Sequence, residues 1–154
     1  MRCVALLVAL SACSSPLGPC SSNVPAGTIA ADVDGEPWSS TATFRGTGSN
    51  LQINAEPDGG WFMNFVLQRT TDGALPGDAV EAGVSPFEVD LADGGFATLF
   101  EDGAGSYSSN DGGGTLRVVA ADAGSITACF AYTAGGDGSV DVQRGAMNAT
   151  LATN

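Results

Sequence analysis

From Thr28 onward, apolar and polar residues alternate with a period of two, in short runs parted by Gly, Asp and Asn clusters. Successive side chains of an extended strand point to opposite faces, so this period predicts strands with one buried face. Leu51, Ile53 and Ala55 alternate with Gln52 and Asn54. Trp61, Met63, Phe65 and Leu67 share one face; Asn64 and Gln68 lie on the other, and Phe62 looks away from Trp61. Leu116, Val118 and Ala120 form another face, as do Ile126, Ala128, Phe130 and Tyr132. Val140 and Val142 predict one late strand, and Met147, Ala149 and Leu151 another. Further strands are expected at 28–33, 41–45, 87–91 and 96–100. No segment after the first twelve residues carries convincing helical periodicity.

The turns agree with the strands. Asp34-Gly35, Asp58-Gly59-Gly60 and Asp93-Gly94-Gly95 supply the positive backbone angles that tight hairpins need. Strands recurring every 8 to 12 residues or so predict an all-β domain, an antiparallel β-sandwich or a partly open β-barrel of about 8–10 short strands.

The amino terminus follows a different pattern. Arg2 is followed by an apolar run from Val4 to Leu10, the layout of an export signal and too short to span a bilayer. The run ends in Leu10-Ser11-Ala12-Cys13, which is similar to a bacterial lipobox at every position. Residues 1–12 are therefore expected to be removed and Cys13 to carry the lipid. Cys20 is a poorer acceptor because Pro19 restricts the backbone just before it. Two or three acyl chains would make release from the membrane very slow. Ser14 resembles the residue that sorts Gram-negative lipoproteins to the outer membrane. Residues 13–27, rich in Ser, Pro and Gly, are expected to form a flexible tether, and residues 28–154 a single β-domain.

Composition narrows the partners. The net charge is −12, or −13 without Arg2, and the chain has no histidine and no lysine. Positive charge after the signal sits on Arg45, Arg69, Arg117 and Arg144 alone. So acidic a surface repels nucleic acid and anionic headgroups and favours cations, neutral molecules or a basic protein; an envelope protein, a carbohydrate and a small apolar ligand are the candidate partners. Of the four cysteines, Cys20 and Cys129 remain after the signal and the lipid site are assigned. In an oxidising compartment they are expected to pair, closing a loop worth on the order of 4 kcal/mol and clamping the tether to the domain.

From Ala31 to Trp38 the chain reads ADVDGEPW. This opening, Ala-x-Val-Asp-Gly-x-x-Trp, resembles a family of small lipoproteins of unknown function common in Bacteroidetes and other Gram-negative bacteria. Tyr107, a glycine-rich polar turn over 110–114, a strand ending in Phe130 and Tyr132, and the segment VDVQRG at 140–145 follow in similar order. Ala128-Cys129 stands where the family usually has glycine before its aromatic strand end, and Met147 where an aromatic is usual. The resemblance implies an all-β envelope lipoprotein and carries over no catalytic residue and no cofactor.

Candidate chemistry is sparse. Without histidine the usual serine or cysteine triads and His-based zinc sites are excluded, and without lysine so is Schiff-base chemistry. Most carboxylates lie beside glycines in turns, where a short polar side chain forms the turn itself. Asp32 and Asp34, and Asp137 and Asp141, stand close to glycines in a way that could suit calcium, though neither segment completes a known calcium loop. Trp38, Trp61, Phe62, Tyr107 and Tyr132 could line a barrel mouth or a sugar-stacking platform, against the ordinary role of aromatics as core. The leading expectation is a non-enzymatic, lipid-anchored envelope protein acting as a binding or structural module. A calycin-like carrier of an apolar or carbohydrate ligand comes second, and a carboxylate-based hydrolase third.

Overall fold

A computed structural model describes residue 20 and residues 24–47, 49–57, 60–103, 105–136 and 138–153. The expected signal, the expected lipid site Cys13 and the calcium candidate Asp137 lie outside the described residues. Nine strands form one sheet: β1 (Thr28–Val33), β2 (Glu36–Thr47), β3 (Asn50–Ala55), β4 (Trp61–Leu67), β5 (Phe87–Asp90), β6 (Gly95–Glu101), β7 (Gly105–Ala121), β8 (Ser125–Gly135) and β9 (Ser139–Leu151). The pairing runs β7-β6-β4-β3-β2-β1-β9-β8, and β8 returns to β7. The result is a closed, eight-stranded, antiparallel up-and-down barrel, which leaves no free edge along its wall.

The ninth strand, β5, lies on the same edge of β7 as β6. It pairs Phe87 to Asp90 with Val118 to Thr115, and β6 resumes at Thr98 opposite Ser108. The two are halves of one interrupted strand. Ser109 fills the break: its hydroxyl donates to Leu91 O at 2.6 Å and accepts from the Ala97 N–H at 2.8 Å. A fully buried hydroxyl is tolerable there because both of its bonds are made.

Alternation sorts the side chains as the sequence predicts over most of the wall. Leu51, Ile53, Met63, Phe65, Leu67, Leu99, Leu116, Val118, Ile126, Phe130 and Met147 all retain 0% of their surface. Residues lining an internal void of water size would keep some accessible surface. The lumen is therefore filled with side chains, as expected for a small barrel of this strand number. Phe65 and Phe130 meet edge to face at its centre, with ring centroids 4.9 Å apart.

Four expectations need correction. The expected turn over 110–114 is the middle of the long strand β7, which bulges between Ser108 and Gly113 as it follows β8. Glycine is required there by close approach: a Cβ on Gly112 would stand 2.2 Å from Thr133 O, and one on Gly114 2.3 Å from Tyr132 Cβ. The two late strands are one, β9, bent between the halves where Arg144 takes a positive φ of 51°. A second bulge, between Val118 and Ala120, turns Ala120 out to solvent and breaks the expected shared face. Finally, a helix α1 (Pro76–Glu81) follows β4. It is too short to show a period, and Pro76 at its start is its one sequence mark. It packs on β2 and β3, and Val80 joins the core, so it caps the end of the barrel where β4 terminates.

The Asp34-Gly35 hairpin forms as read, with φ of 50° and 84° in a two-residue loop between paired Val33 and Glu36. The chain before β1 is fastened to the wall. Cys20 and Cys129 form a disulfide, Gly27 N–H donates to Asn148 O, and Asn148 Nδ2 donates to Val24 O. Cys129 faces outward from β8 because its neighbours Ala128 and Phe130 face the core.

Candidate ligand-binding site

The antiparallel order gathers the β1–β2, β3–β4, β6–β7 and β8–β9 turns at the end of the barrel opposite α1. Trp61 and Tyr107 close the lumen there, half-buried on the core and 6.4 Å apart. Just outside them, a second aromatic pair sits on the outer wall. Phe62 on β4 is directly opposite Phe100 on β6, with ring centroids 5.5 Å apart and planes inclined by 41°. Period two places both on the face opposite Met63 and Leu99. Phe100 keeps 41% of its surface exposed.

These rings border a concavity of about 600 Å³ shared with Pro57, Trp61, Glu101 and Asp102. It is built by two neighbouring turns. β3 and β4 end in a connection that places Pro57 and Gly60, and β6 and β7 in one that places Asp102 and Gly103. The Phe62 and Phe100 rings lie on its outer side, Asp102 stands exposed in the turn beside them, and Glu101 shares the inward face of its partner Trp61. No arginine lies in its lining among the described residues. Arg69 pairs with Asp93 at 3.1 Å, Arg144 pairs with Asp32, Arg45 faces Gln52 across β2–β3, and Arg117 faces Glu88 across β5–β7.

The other sequence candidates are placed differently. Trp38 and Tyr132 belong to the core. The Tyr132 hydroxyl is buried with no hydrogen-bond partner, and burial pushes the phenol above its ordinary value of 10, so it stays neutral. The acids Asp34 and Asp141, far apart in sequence, come together across β1 and β9. Asp34 Oδ1 accepts from the Asp141 N–H at 2.8 Å, Asp141 Oδ1 accepts from the Thr133 hydroxyl at 2.7 Å, and Asp32 is taken up by Arg144. Each carboxylate serves a local contact, and no group of three or more metal-ligating side chains forms among the described residues. A smaller groove of about 240 Å³ runs past Thr133, Asp141 and Gln143 on the outer face, and Tyr132, which borders it along β8, has its ring in the core against Phe65 and Phe130.

Phe100 is the site residue that the sequence reading passed over. Its signal is parity, since it alternates with Leu99 as Phe62 does with Met63, but the pairing of the two needs the register of β4 on β6. Comparison with family models, with curated proteins and with solved structures returns no match.

Proposed function

We propose that this chain is a lipid-anchored, non-enzymatic protein of the bacterial envelope, held at the outer membrane, whose barrel is a scaffold for binding at its outer aromatic end. One observation carries the binding part: core residues around the lumen retain 0% accessible surface, while exposed Phe100 and half-buried Phe62 stand beside a concavity of about 600 Å³. An aromatic pair on the outer wall that leaves one ring open to water is a cost that a purely structural wall would avoid. The location rests on the Leu10-Ser11-Ala12-Cys13 sequence and the family resemblance.

The tether supports the same reading. Its clamp at Cys129 is on β8, whereas Phe62 and Phe100 are on β4 and β6, three and two strands away around the wall. A domain anchored at β8 turns that aromatic pair away from the anchored side. The absence of histidine and lysine from the chain, and the full engagement of the buried Ser109 hydroxyl, support a role without catalysis. The closed barrel also supports the second reading, a calycin-like carrier, but the filled lumen leaves such a ligand the barrel's mouth rather than its interior.

A fragment screen followed by NMR of the aromatic side chains tests the binding site. Ligands are expected to perturb the Phe62 and Phe100 rings first, and hits that instead move Phe65 and Phe130 would overturn the outer site. A Cys13→Ser chain is expected to leave the membrane fraction; retention there would overturn the anchor.

A further inference from the structure

Resting on that outer-site reading, we infer that the site continues from Phe62 and Phe100 along the outer wall of β2, β3, β4 and β6 and takes an uncharged glycan chain. Strand register stacks three outward-facing rungs there. The first holds Phe62 and Phe100. The second, two residues further along each strand, runs Thr43, Asn54, Asn64, Thr98 and Ser108. The third runs Arg45, Gln52, Val66 and Phe96. None of these positions is a carboxylate, in a chain with 17 aspartates and glutamates. Elsewhere acids stand on the outer wall itself: Asp32 on β1, Glu88 and Asp90 on β5, and Asp141 on β9. Exposed Glu56 and Asp102 mark where the uncharged strip ends, at the mouth turns. The strip gives a basic partner no anchor, and the charge of the rest of the chain repels an anionic one. An uncharged ligand fits it.

Hydrogen-bonding groups on the middle rung narrow the ligand. Asn64 Nδ2 donates to Asn54 Oδ1 across β3 and β4. That bond leaves Asn54 Nδ2 and Asn64 Oδ1 side by side on a half-buried surface, a donor and an acceptor with no protein partner among the described residues. Two adjacent sugar hydroxyls, or one acetamido group, give and take a hydrogen bond in the same way. Gln52 adds a fully exposed amide one rung away. The rings then set the length. Phe96 and Phe100 share one face of β6 four residues apart, about 13 Å along the strand. Aromatic surface on which the apolar face of a sugar packs therefore bounds the amides on both sides. A single sugar ring does not reach both, so the ligand is a chain. A second copy of the protein fits less well: the strip covers roughly 250 Å², against roughly 800 Å² per partner in a stable protein interface.

The test uses the full chain purified in an uncharged polyoxyethylene detergent, with binding read by calorimetry. The probes are cellohexaose, chitohexaose and glucose. At least one hexaose is expected to bind saturably and independently of salt, and glucose about tenfold or more less tightly. Asn64→Ala is expected to weaken the hexaose about tenfold, and Phe96→Ala and Phe100→Ala about fivefold each, with cooperative melting kept. Gln52→Ala, at an exposed side chain, is expected to weaken it about threefold and reads the amides even if Asn64→Ala fails to fold. A preference for chitohexaose supports the site and identifies an acetamido group as what the amides hold; a preference for cellohexaose supports it and identifies the hydroxyls. Hexaose binding lost in Phe100→Ala but indifferent to Asn64→Ala, Gln52→Ala and Phe96→Ala confines the ligand to the mouth and overturns the strip. No hexaose binding, with fragments still moving the Phe62 and Phe100 resonances, overturns the glycan while the outer-site reading stands. A dimer seen by sedimentation and lost in Asn64→Ala overturns the glycan in favour of a second copy. A hexaose that moves Phe65 and Phe130 instead overturns both readings.

Discussion

Strand β4 carries Phe62 and Phe65 within one turn of the same wall, and the two have opposite surroundings. Phe65 retains no accessible surface and meets Phe130 edge to face at 4.9 Å, deep in the lumen. Phe62 meets Phe100 across the outer face at 5.5 Å, and Phe100 is 41% exposed. The chemistry of the two pairs is alike. What differs is what each pair excludes: the inner rings displace water from a packed core, while the outer rings leave part of their area to it. The inner pair therefore fixes the barrel, and the outer pair is free to recognise something else.

The comparison can be broken by energetics. Phe65→Ala is expected to cost about 3–5 kcal/mol, because a cavity opens where neighbouring strands cannot collapse. Chemical denaturation measures it, and a loss below about 1 kcal/mol would mean that the lumen is not packed as described. Next in size is the clamp. Replacing Cys20 and Cys129 by serine removes a crosslink between residues 109 apart and is expected to lower stability by about 2–4 kcal/mol. An unchanged melting temperature would show that the tether stays fixed without it. Phe100→Ala, by contrast, is expected to cost under about 1 kcal/mol, the range of one exposed cross-strand pair. If it costs as much as Phe65→Ala, the outer pair is structural and the contrast fails.

Two smaller effects sharpen the picture. Asp122 turns β7 into β8 by accepting the N–H groups of Gly124 and Ser125, at 2.8 and 2.7 Å, and these bonds hold its carboxyl below the ordinary 3.8. A lowered folded value stabilises fully above pH 3.8 and fades as pH falls through the lower value. Asp122→Ala should thus be less stable than the parent at neutral pH, with the gap closing in acid; a gap that persists there would contradict this. Smallest is Tyr132→Phe. It removes a buried hydroxyl that has no partner, so stability is expected to stay level or rise by up to about 1 kcal/mol. A marked loss would reveal a partner for that hydroxyl inside the barrel.

Much of the wall was legible from alternation, because one face of every strand had to be buried. Leu51, Ile53 and Ala55, or Met63, Phe65 and Leu67, read inward without any knowledge of pairing. Alternation failed where an inserted residue shifted the parity, at Ala120 and at Arg144-Gly145. A bulge is set by what the partner strand demands, and one strand read alone does not contain that information. The same holds for Gly112 and Gly114, which look like turn residues and are spacers for the close approach of β8. Closure into a barrel depended on β1 meeting β9, the first strand and the last, a pairing distant in sequence that the pattern left open between sandwich and barrel. The site was half legible. Phe62 was marked by facing away from Trp61, but its partner Phe100 comes from another strand.

The central claim is that the barrel is solid and offers its binding surface outside. Xenon under pressure tests it most directly, because this small apolar atom enters dry cavities in protein interiors. The methyl resonances of Ile53, Met63, Leu99 and Leu116 are expected to stay unmoved as xenon pressure rises. Saturable shifts at these lumen residues would contradict the claim and return the ligand to the inside of the barrel.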